Sequence, residues 1–193
     1  RLNGLLSRNK EQAMSTKAKD CISAILERRS VRSFDPERSI SEEDMKTIVE
    51  CGMSAPTAVN QREFHFVVVR DQALRTKLAD IHPYCKFMAD PTAVGVLVCA
   101  DLSKCRYPDY WVQDLSAATE NMLVAAASFG IGSTWCGVYP SQEGVEAETR
   151  KVLGIPESFK ILNFIAFGYP KPDSPIAPRA SRFDAAHLHT NGW

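Results

Sequence analysis

The stretch Arg28-Arg29-Ser30-Val31-Arg32-Ser33-Phe34 places three guanidinium groups and two hydroxyls in seven residues, directly after an apolar helical run. Fork-shaped guanidinium donors suit the oxygens of a phosphate monoester, and a serine hydroxyl adds a short hydrogen bond. A second interpretation is that Arg28 and Arg29 are cations that the helix dipole favours at a helix C-terminus. The heptapeptide alone leaves both interpretations open.

The composition indicates an ordinary globular domain. The chain has 193 residues, of which 45% are hydrophobic and 24% charged, and this predicts one domain with a substantial core. The formal net charge is +0, so no overall field attracts nucleic acid or an acidic membrane surface. Any phosphate recognition must therefore be local, and we expect neither a nucleic acid nor a membrane partner.

The cysteines and the N-terminal residues indicate in which cellular compartment the protein is expected. Six cysteines are scattered without a Cys-x-x-Cys pair, so we expect no zinc site and no disulfide framework. Because no signal peptide and no long apolar span is evident, we expect a reducing, cytoplasmic location. The polar residues 1–13 precede the first methionine, Met14. We expect them to be a disordered or artificial extension, and residues 14–193 to be a single domain.

Hydrophobic periodicity predicts alternating helices and strands around the arginine-rich stretch. Helices are expected at residues 18–29, 41–52, 71–81, 109–129 and 145–153. Buried strands are expected at residues 64–69, 93–100, 133–139 and 161–167. This alternation predicts an α/β or α+β domain with a mixed sheet between helical layers.

The sequence after Gly168 differs from the rest. Pro170, Pro172, Pro175 and Pro178 exclude regular structure across that run, and the chain ends in an aromatic residue, Trp193. We expect this tail to lie across a surface, such as that of a second subunit.

The chain offers binding groups but no obvious reactive side chain. It contains no Gly-x-Ser-x-Gly motif, no recognisable Cys/His pattern and no phosphate-binding P-loop. Gly130 and Gly132 lack the third glycine of a dinucleotide motif and follow a helix instead of a strand. Asp114 and Glu120, on the long helix, are expected to be solvated or interface charges. Binding groups without a reactive side chain indicate that a cofactor carries the chemistry.

Five segments, in order, resemble the nitroreductase family of flavin enzymes from about Ile22 to the C-terminus. They are Arg28-Arg29-Ser30-x-Arg32-x-Phe34, Ala55-Pro56-Thr57-Ala58-x-Asn60, Gly130-Ile131-Gly132-Ser133-x-Trp135-x-Gly137, Gly168-Tyr169-Pro170 and the basic tail that ends in Trp193. The resemblance implies an α+β three-layer fold, with a mixed central sheet flanked by helices and a C-terminal tail exchanged between the subunits of a homodimer. It also implies that flavin mononucleotide (FMN) binds at the subunit interface. Hydride would pass from NADH or NADPH through FMN to a nitroaromatic, quinone or related acceptor by a ping-pong mechanism.

The same resemblance assigns the cofactor-binding residues. Arg28, Arg29, Ser30 and Arg32 match the segment that holds the FMN phosphate and part of the ring. Pro56, Thr57, Ala58 and Asn60 match the loop that reaches the flavin from the partner subunit, and Trp135, Cys136 and Gly137 match the strand whose backbone approaches the ring. Arg179 and Arg182 are candidates for the tail arginine at the phosphate. No catalytic side chain and no metal is expected.

One departure from the family concerns the residues after Asn60. The family often has Gln-Pro-Trp there, whereas this chain has Arg62-Glu63-Phe64. Charges near the expected site affect substrate preference more than cofactor binding. Two alternatives remain: a member of the family that binds or processes flavin without turnover, and a structural protein that binds no flavin.

Overall fold

A computed structural model describes residues 20–174 and 180–193, and the following statements concern those residues. The predicted extension at residues 1–13 and the candidate Arg179 lie outside them. The helices are α1 (Cys21–Glu27), α2 (Glu42–Met53), α3 (Gln72–Ile81), α4 (Trp111–Ser128) and α5 (Glu143–Leu153). The strands are β1 (Phe64–Val69), β2 (Val94–Asp101), β3 (Gly132–Gly137) and β4 (Phe159–Gly168).

The strands form one sheet in the order β1-β2-β4-β3. All three neighbouring pairs are antiparallel, and the register aligns Leu97 with Val67 on one side and with Phe164 on the other. The mixed pairing that we expected is therefore wrong for the four strands among themselves. A single parallel bridge joins Ser30, which precedes them in the chain, to Ser133 of β3. A helix between two strands is typical of a parallel crossover, but residues 82–93 carry the chain back past α3 before β2 begins.

Helices cover both faces of the sheet, which confirms the α+β three-layer architecture. On one face, Leu97 and Phe164 pack with Leu78 of α3 and Val145 of α5. On the other face, residues of α2 and α4 pack against the sheet, among them Ile48, Leu115 and Met122. Successive strand residues point to opposite faces, and helices cover both faces of the central strands β2 and β4. Residues on both faces are therefore apolar, which explains the continuous hydrophobic runs of these strands.

One prediction of burial is wrong. Strand β1, expected to be buried, lies at the edge of the sheet and leaves His65 and Val68 exposed. Helix α1 buries Ala24 and exposes Ile22, Ile25 and Leu26 by 70%, 49% and 64%. These apolar surfaces have no cover within the described part of the chain. No helix there has the length and apolarity needed to cross a membrane.

Candidate functional site

The arginine-rich segment runs alongside β3. Helix α1 ends at Glu27, and Arg28 is its C-cap, so the chain is extended where the motif continues. The Val31 N–H donates to the Ser133 carbonyl at 3.0 Å, and the Thr134 hydroxyl donates to the Val31 carbonyl at 2.5 Å. A β-carbon at Gly132 would lie 2.7 Å from Val31 Cβ, so this close approach requires glycine.

A second contact joins the same segment to the end of β4. Phe34 is buried and packs on Gly168, where a β-carbon would lie 2.4 Å from the Phe34 ring. The Asp35 N–H donates to the Tyr169 carbonyl at 2.8 Å. The structure therefore brings three of the predicted motifs together: the arginine-rich segment, the glycine-containing start of β3 and Gly168-Tyr169-Pro170.

The donor groups of this segment fit a phosphate. Ser30 and Arg32 are exposed and Arg29 is half-buried, so two guanidinium groups and a hydroxyl are presented within four residues. Arg28 differs, because it caps α1 and its Nε lies 3.3 Å from the Glu120 carboxylate. Arg28 thus caps the end of the helix, as the second interpretation expects, and Arg29, Ser30 and Arg32 carry donor groups of the kind that bind a phosphate.

The end of β3 presents backbone to the surface. Trp135 is half-buried against the α2/α4 face, Cys136 is buried on the opposite face, and Gly137 is exposed. The Gly137 carbonyl accepts a hydrogen bond from His82 Nε2 at 3.0 Å. Burial lowers the pKa of His82, so the ring is neutral near pH 7 and carries its proton on Nε2. His82 thus supports β3 from beneath and is not a surface base.

The loop with Pro56, Thr57, Ala58 and Asn60 is held in an unusual conformation. Val59, Asn60 and Arg62 have φ values of 47°, 58° and 51°, in the left-handed region that non-glycine residues rarely adopt. The Thr57 hydroxyl accepts from the Arg62 backbone N–H at 3.1 Å, and the side-chain Oδ1 of Asn60 accepts from Arg62 Nε at 2.9 Å. Such strain persists only where the surroundings enforce it.

Those surroundings include Asp114, which was expected to be a solvated or interface charge and is not solvated in this chain. Asp114 is buried, and its Oδ2 accepts from the Ala58 N–H at 2.9 Å. The sequence contains a signal for this burial, because Asp114 follows Trp111 by three residues and precedes Ala118 by four, on the buried stripe of α4. These bonds tie the loop to α4 and not to the arginine-rich segment.

Glu63, which was expected to place a charge near the site, joins this cluster. It is 3% exposed, and Gln61 Nε2 donates to Glu63 Oε1 at 3.0 Å and to Asp114 Oδ2 at 3.2 Å. Burial, reinforced by the neighbouring Asp114 carboxylate, raises the pKa of Glu63. The carboxyl group of Glu63 is thus buried below the loop, whereas Arg62 is exposed. Glu63 and Asp114 both hold the loop through Gln61.

The remaining candidates lie apart from these groups. Arg182 belongs to residues 180–193, all of which are exposed. No group of three or more His, Cys, Asp or Glu residues suited to a metal ion occurs in residues 20–174 and 180–193. The described residues therefore place an arginine-rich segment along a glycine-bordered strand, and a second loop is anchored separately on α4.

The α+β fold and these binding groups are typical of cofactor-binding proteins. Comparison of the chain with known proteins identifies the family. The Nitroreductase family profile matches residues 25–83 and 83–169. A protein of Archaeoglobus fulgidus, provisionally named NADH dehydrogenase/NAD(P)H nitroreductase, is 40% identical over 175 residues, which cover 90% of this chain and 99% of the relative. The chain belongs to the nitroreductase family.

Solved structures agree on the fold. The crystal structure of a protein of the same provisional name from Parabacteroides distasonis has a TM-score of 0.81 and 30% identity, over 91% of this chain and 99% of that one. A nitroreductase, also provisionally named, from Desulfovibrio desulfuricans in complex with FMN has a TM-score of 0.74 and 24% identity, over 91% and 98% of the two chains. At that identity the likeness concerns the fold alone.

Proposed function

We propose that this protein is an FMN-dependent oxidoreductase that takes hydride from NADH or NADPH and delivers it to a nitroaromatic, quinone or related acceptor. The observation that carries the proposal is the convergence of the arginine-rich segment with β3 and the end of β4. It is supported by the family match and by the provisional name of the relative from Archaeoglobus fulgidus, NADH dehydrogenase/NAD(P)H nitroreductase.

Different residues of this chain would bind the phosphate and the ring of FMN. Arg28, Arg29, Ser30 and Arg32 would hold the phosphate and part of the ring. The backbone of Trp135, Cys136 and Gly137 would border the ring. Bound FMN supplies the two-electron chemistry, and the protein supplies orientation and electrostatics.

A homodimer would complete the site. The loop with Pro56, Thr57, Ala58 and Asn60 is tied to α4 through Ala58 and Gln61, which supports its use at the partner's cofactor. The exposed apolar face of α1 and the tail, in which Phe183 and Leu188 are 73% and 63% exposed, offer surface for an obligate interface of more than about 2,000 Å². Arg182 or Arg179 would then reach a phosphate from the tail.

The ultraviolet–visible absorption spectrum tests the proposal. We expect the purified protein to be yellow, or to become so with added FMN, and to lose its absorption when NADPH or NADH is added without oxygen. A nitroarene or quinone should restore the colour. A protein that stays colourless with FMN would contradict the proposal, and a yellow protein that neither NADH nor NADPH bleaches would favour flavin binding without turnover.

We further infer ping-pong kinetics, because no described side chain is placed as a second reactive group and donor and acceptor would use the same space in turn. Steady-state rates with both substrates varied should give parallel double-reciprocal lines. Intersecting lines would indicate a ternary complex and would contradict this inference while leaving the cofactor assignment intact.

A further inference from the structure

The side-chain amide of Gln61 meets more hydrogen-bond acceptors than it has hydrogens. Its Nε2 lies 3.0 Å from Glu63 Oε1, 3.2 Å from Asp114 Oδ2 and 3.3 Å from the Tyr107 carbonyl oxygen. Its Oε1 accepts from the Tyr107 N–H at 3.1 Å, which holds the amide with its nitrogen toward the two carboxyl groups. Because an amide nitrogen carries two hydrogens, one of the three acceptors needs a hydrogen from another source.

Glu63 and Asp114 form a carboxyl pair that is too deeply buried for two full charges. They are 3% and 7% exposed, and an oxygen of each lies within hydrogen-bond distance of the same nitrogen. Asp114 Oδ2 also accepts from the Ala58 N–H at 2.9 Å, whereas Glu63 Oε2 is buried and has no hydrogen-bond partner in the described part of the chain. Burying an ionised carboxylate without hydrogen bonds is costly, and two neighbouring carboxylates disfavour double ionisation. These contacts favour one proton on the pair, carried by Glu63.

The other charged groups around the carboxyl pair do not neutralise it. The Asp101 N–H donates to the Glu63 carbonyl at 2.9 Å, and the Asp101 carboxylate is itself paired with Lys104 at 3.4 Å. Burial raises the pKa of the neighbouring Cys105 thiol, so this thiol stays neutral. The exposed Arg62 uses its Nε for a hydrogen bond within the loop. Among residues 20–174 and 180–193, no basic side chain forms an ion pair with either member of the carboxyl pair.

The carboxyl pair also anchors a strained loop. Asp114 holds Ala58, and both carboxyl groups hold Gln61, while three residues of the same loop have positive φ values. Loss of the proton would place two negative charges beside one amide. Their repulsion would weaken the bonds that hold the loop, and the backbone strain would then favour its release.

We propose that a single proton on the carboxyl pair of Glu63 and Asp114 holds residues 57–62 against α4, and that the loop opens when a rise in pH removes this proton to solvent. The closed loop binds the proton more tightly than the open loop does, so closure is favoured at low pH and weakens as the pH rises. The inference rests on contacts within this chain and does not depend on the proposed flavin chemistry.

Hydrogen–deuterium exchange with mass spectrometry tests this proposal on the full chain. Labelling covers about pH 5 to about pH 9, the range above the pKa of an unburied glutamate, with times scaled to the intrinsic exchange rate at each pH. Because opening releases one proton, the protection of the amides of residues 58–62 should fall about tenfold per pH unit and level off above the raised pKa of Glu63. Peptides from α3 and β4 should keep their protection throughout.

Variants and a second measurement identify the proton. Glu63→Gln should remove the pH dependence of loop protection, and Glu157→Gln, at an exposed position, should behave as the parent does. Infrared spectra near neutral pH should show a protonated carboxyl band in the parent that Glu63→Gln lacks. The exchange profile of the parent does not depend on how the variants fold.

Three results would overturn the proposal. The first is loop protection in the parent that does not change with pH, or that is lost together with the protection of α3 and β4. The second is the parent's pH dependence in Glu63→Gln. The third is a protonated carboxyl band that persists in Glu63→Gln.

Discussion

Arg32 differs from its neighbours because its side chain is exposed while the residues on either side of it are held by β3 and β4. Its position is therefore fixed, although its charge is available to a ligand. We expect Arg32→Ala to weaken FMN binding by roughly 1.5–3 kcal/mol, the usual contribution of a charge-assisted hydrogen bond, which is about tenfold or more in Kd. Fluorescence titration of the apoprotein with FMN would measure this.

Riboflavin, which lacks the phosphate, provides the control for this experiment. It should bind Arg32→Ala and the parent almost equally, and Arg106→Ala, at another exposed arginine, should leave FMN affinity unchanged. An equal loss of riboflavin and FMN affinity would mean that Arg32 positions the ring or the fold.

Glu63 makes the stability of the protein depend on pH. Burial and Asp114 raise the pKa of Glu63 in the folded state. The folded state therefore binds the Glu63 proton more tightly than the unfolded chain does. The stabilisation is complete below the unfolded pKa of about 4.5 and is lost as the pH rises through the higher folded value. Glu63→Gln keeps a neutral side chain of the same shape, so its melting temperature should fall less between about pH 5 and pH 8.

Thermal melts of both proteins across this pH range would check the prediction. His82 titrates with the opposite sign, but it is present in both proteins and its effect cancels. Glu157→Gln, at an exposed position, should follow the parent. A Glu63→Gln variant with the parent's pH profile would show that Glu63 is ionised in the fold.

For single residues, the sequence predicts which side chains can bind a ligand better than it predicts which side chains are buried. The arginines and Ser30 were recognised because their donor groups suit a phosphate wherever they lie. The link between Glu63 and Asp114 was missed because the two residues are far apart in the sequence, and their shared environment arises only when α4 packs beside the loop.

At the scale of elements, the contact between Gly168 and Phe34 determines how closely the arginine-rich segment approaches the sheet. A methyl group at Gly168 would overlap the Phe34 ring. We expect Gly168→Ala to lower the free energy of unfolding by about 1–3 kcal/mol, as overpacking does, in urea denaturation. Gly144→Ala, in α5 with open space around it, should be neutral or stabilise by about 0.5–1 kcal/mol. Equal stabilities of Gly168→Ala and the parent would mean that Phe34 moves freely.

Residues beside a helix in the sequence predict where that helix begins or ends. Contacts between residues that are distant in the sequence determine strand exposure and strand direction. Asp71 is a residue type that favours the start of a helix, and its carboxylate accepts from the Leu74 N–H at 2.8 Å at the start of α3. Gly154, a residue type that favours the left-handed conformation after a helix, ends α5 with a φ of 65°. By contrast, the exposure of β1 depends on which strand lies beside it, and the antiparallel sheet depends on the path of residues 82–93. Neither is encoded in the strand itself.

At the scale of the whole molecule, the tail should hold the assembly together. Deleting residues 183–193 removes the exposed Phe183, Leu188 and Trp193, and we expect monomers or aggregates that release flavin. Size-exclusion chromatography with light scattering at micromolar concentration would show this. Leu26→Glu, on the exposed face of α1, should weaken assembly independently. A parent protein that is fully monomeric under these conditions would contradict the homodimer.

The position of β4 in the sheet also bears on how the protein is made. β4 is the last strand in the sequence but lies between β2 and β3, and neither of those strands pairs with the other. As the ribosome extends the chain from the N-terminus at about 5–20 residues per second, β3 has no partner strand until residues 159–168 emerge. Newly synthesised chains thus expose apolar strands for several seconds, and this makes nascent or prematurely terminated polypeptides targets for chaperones.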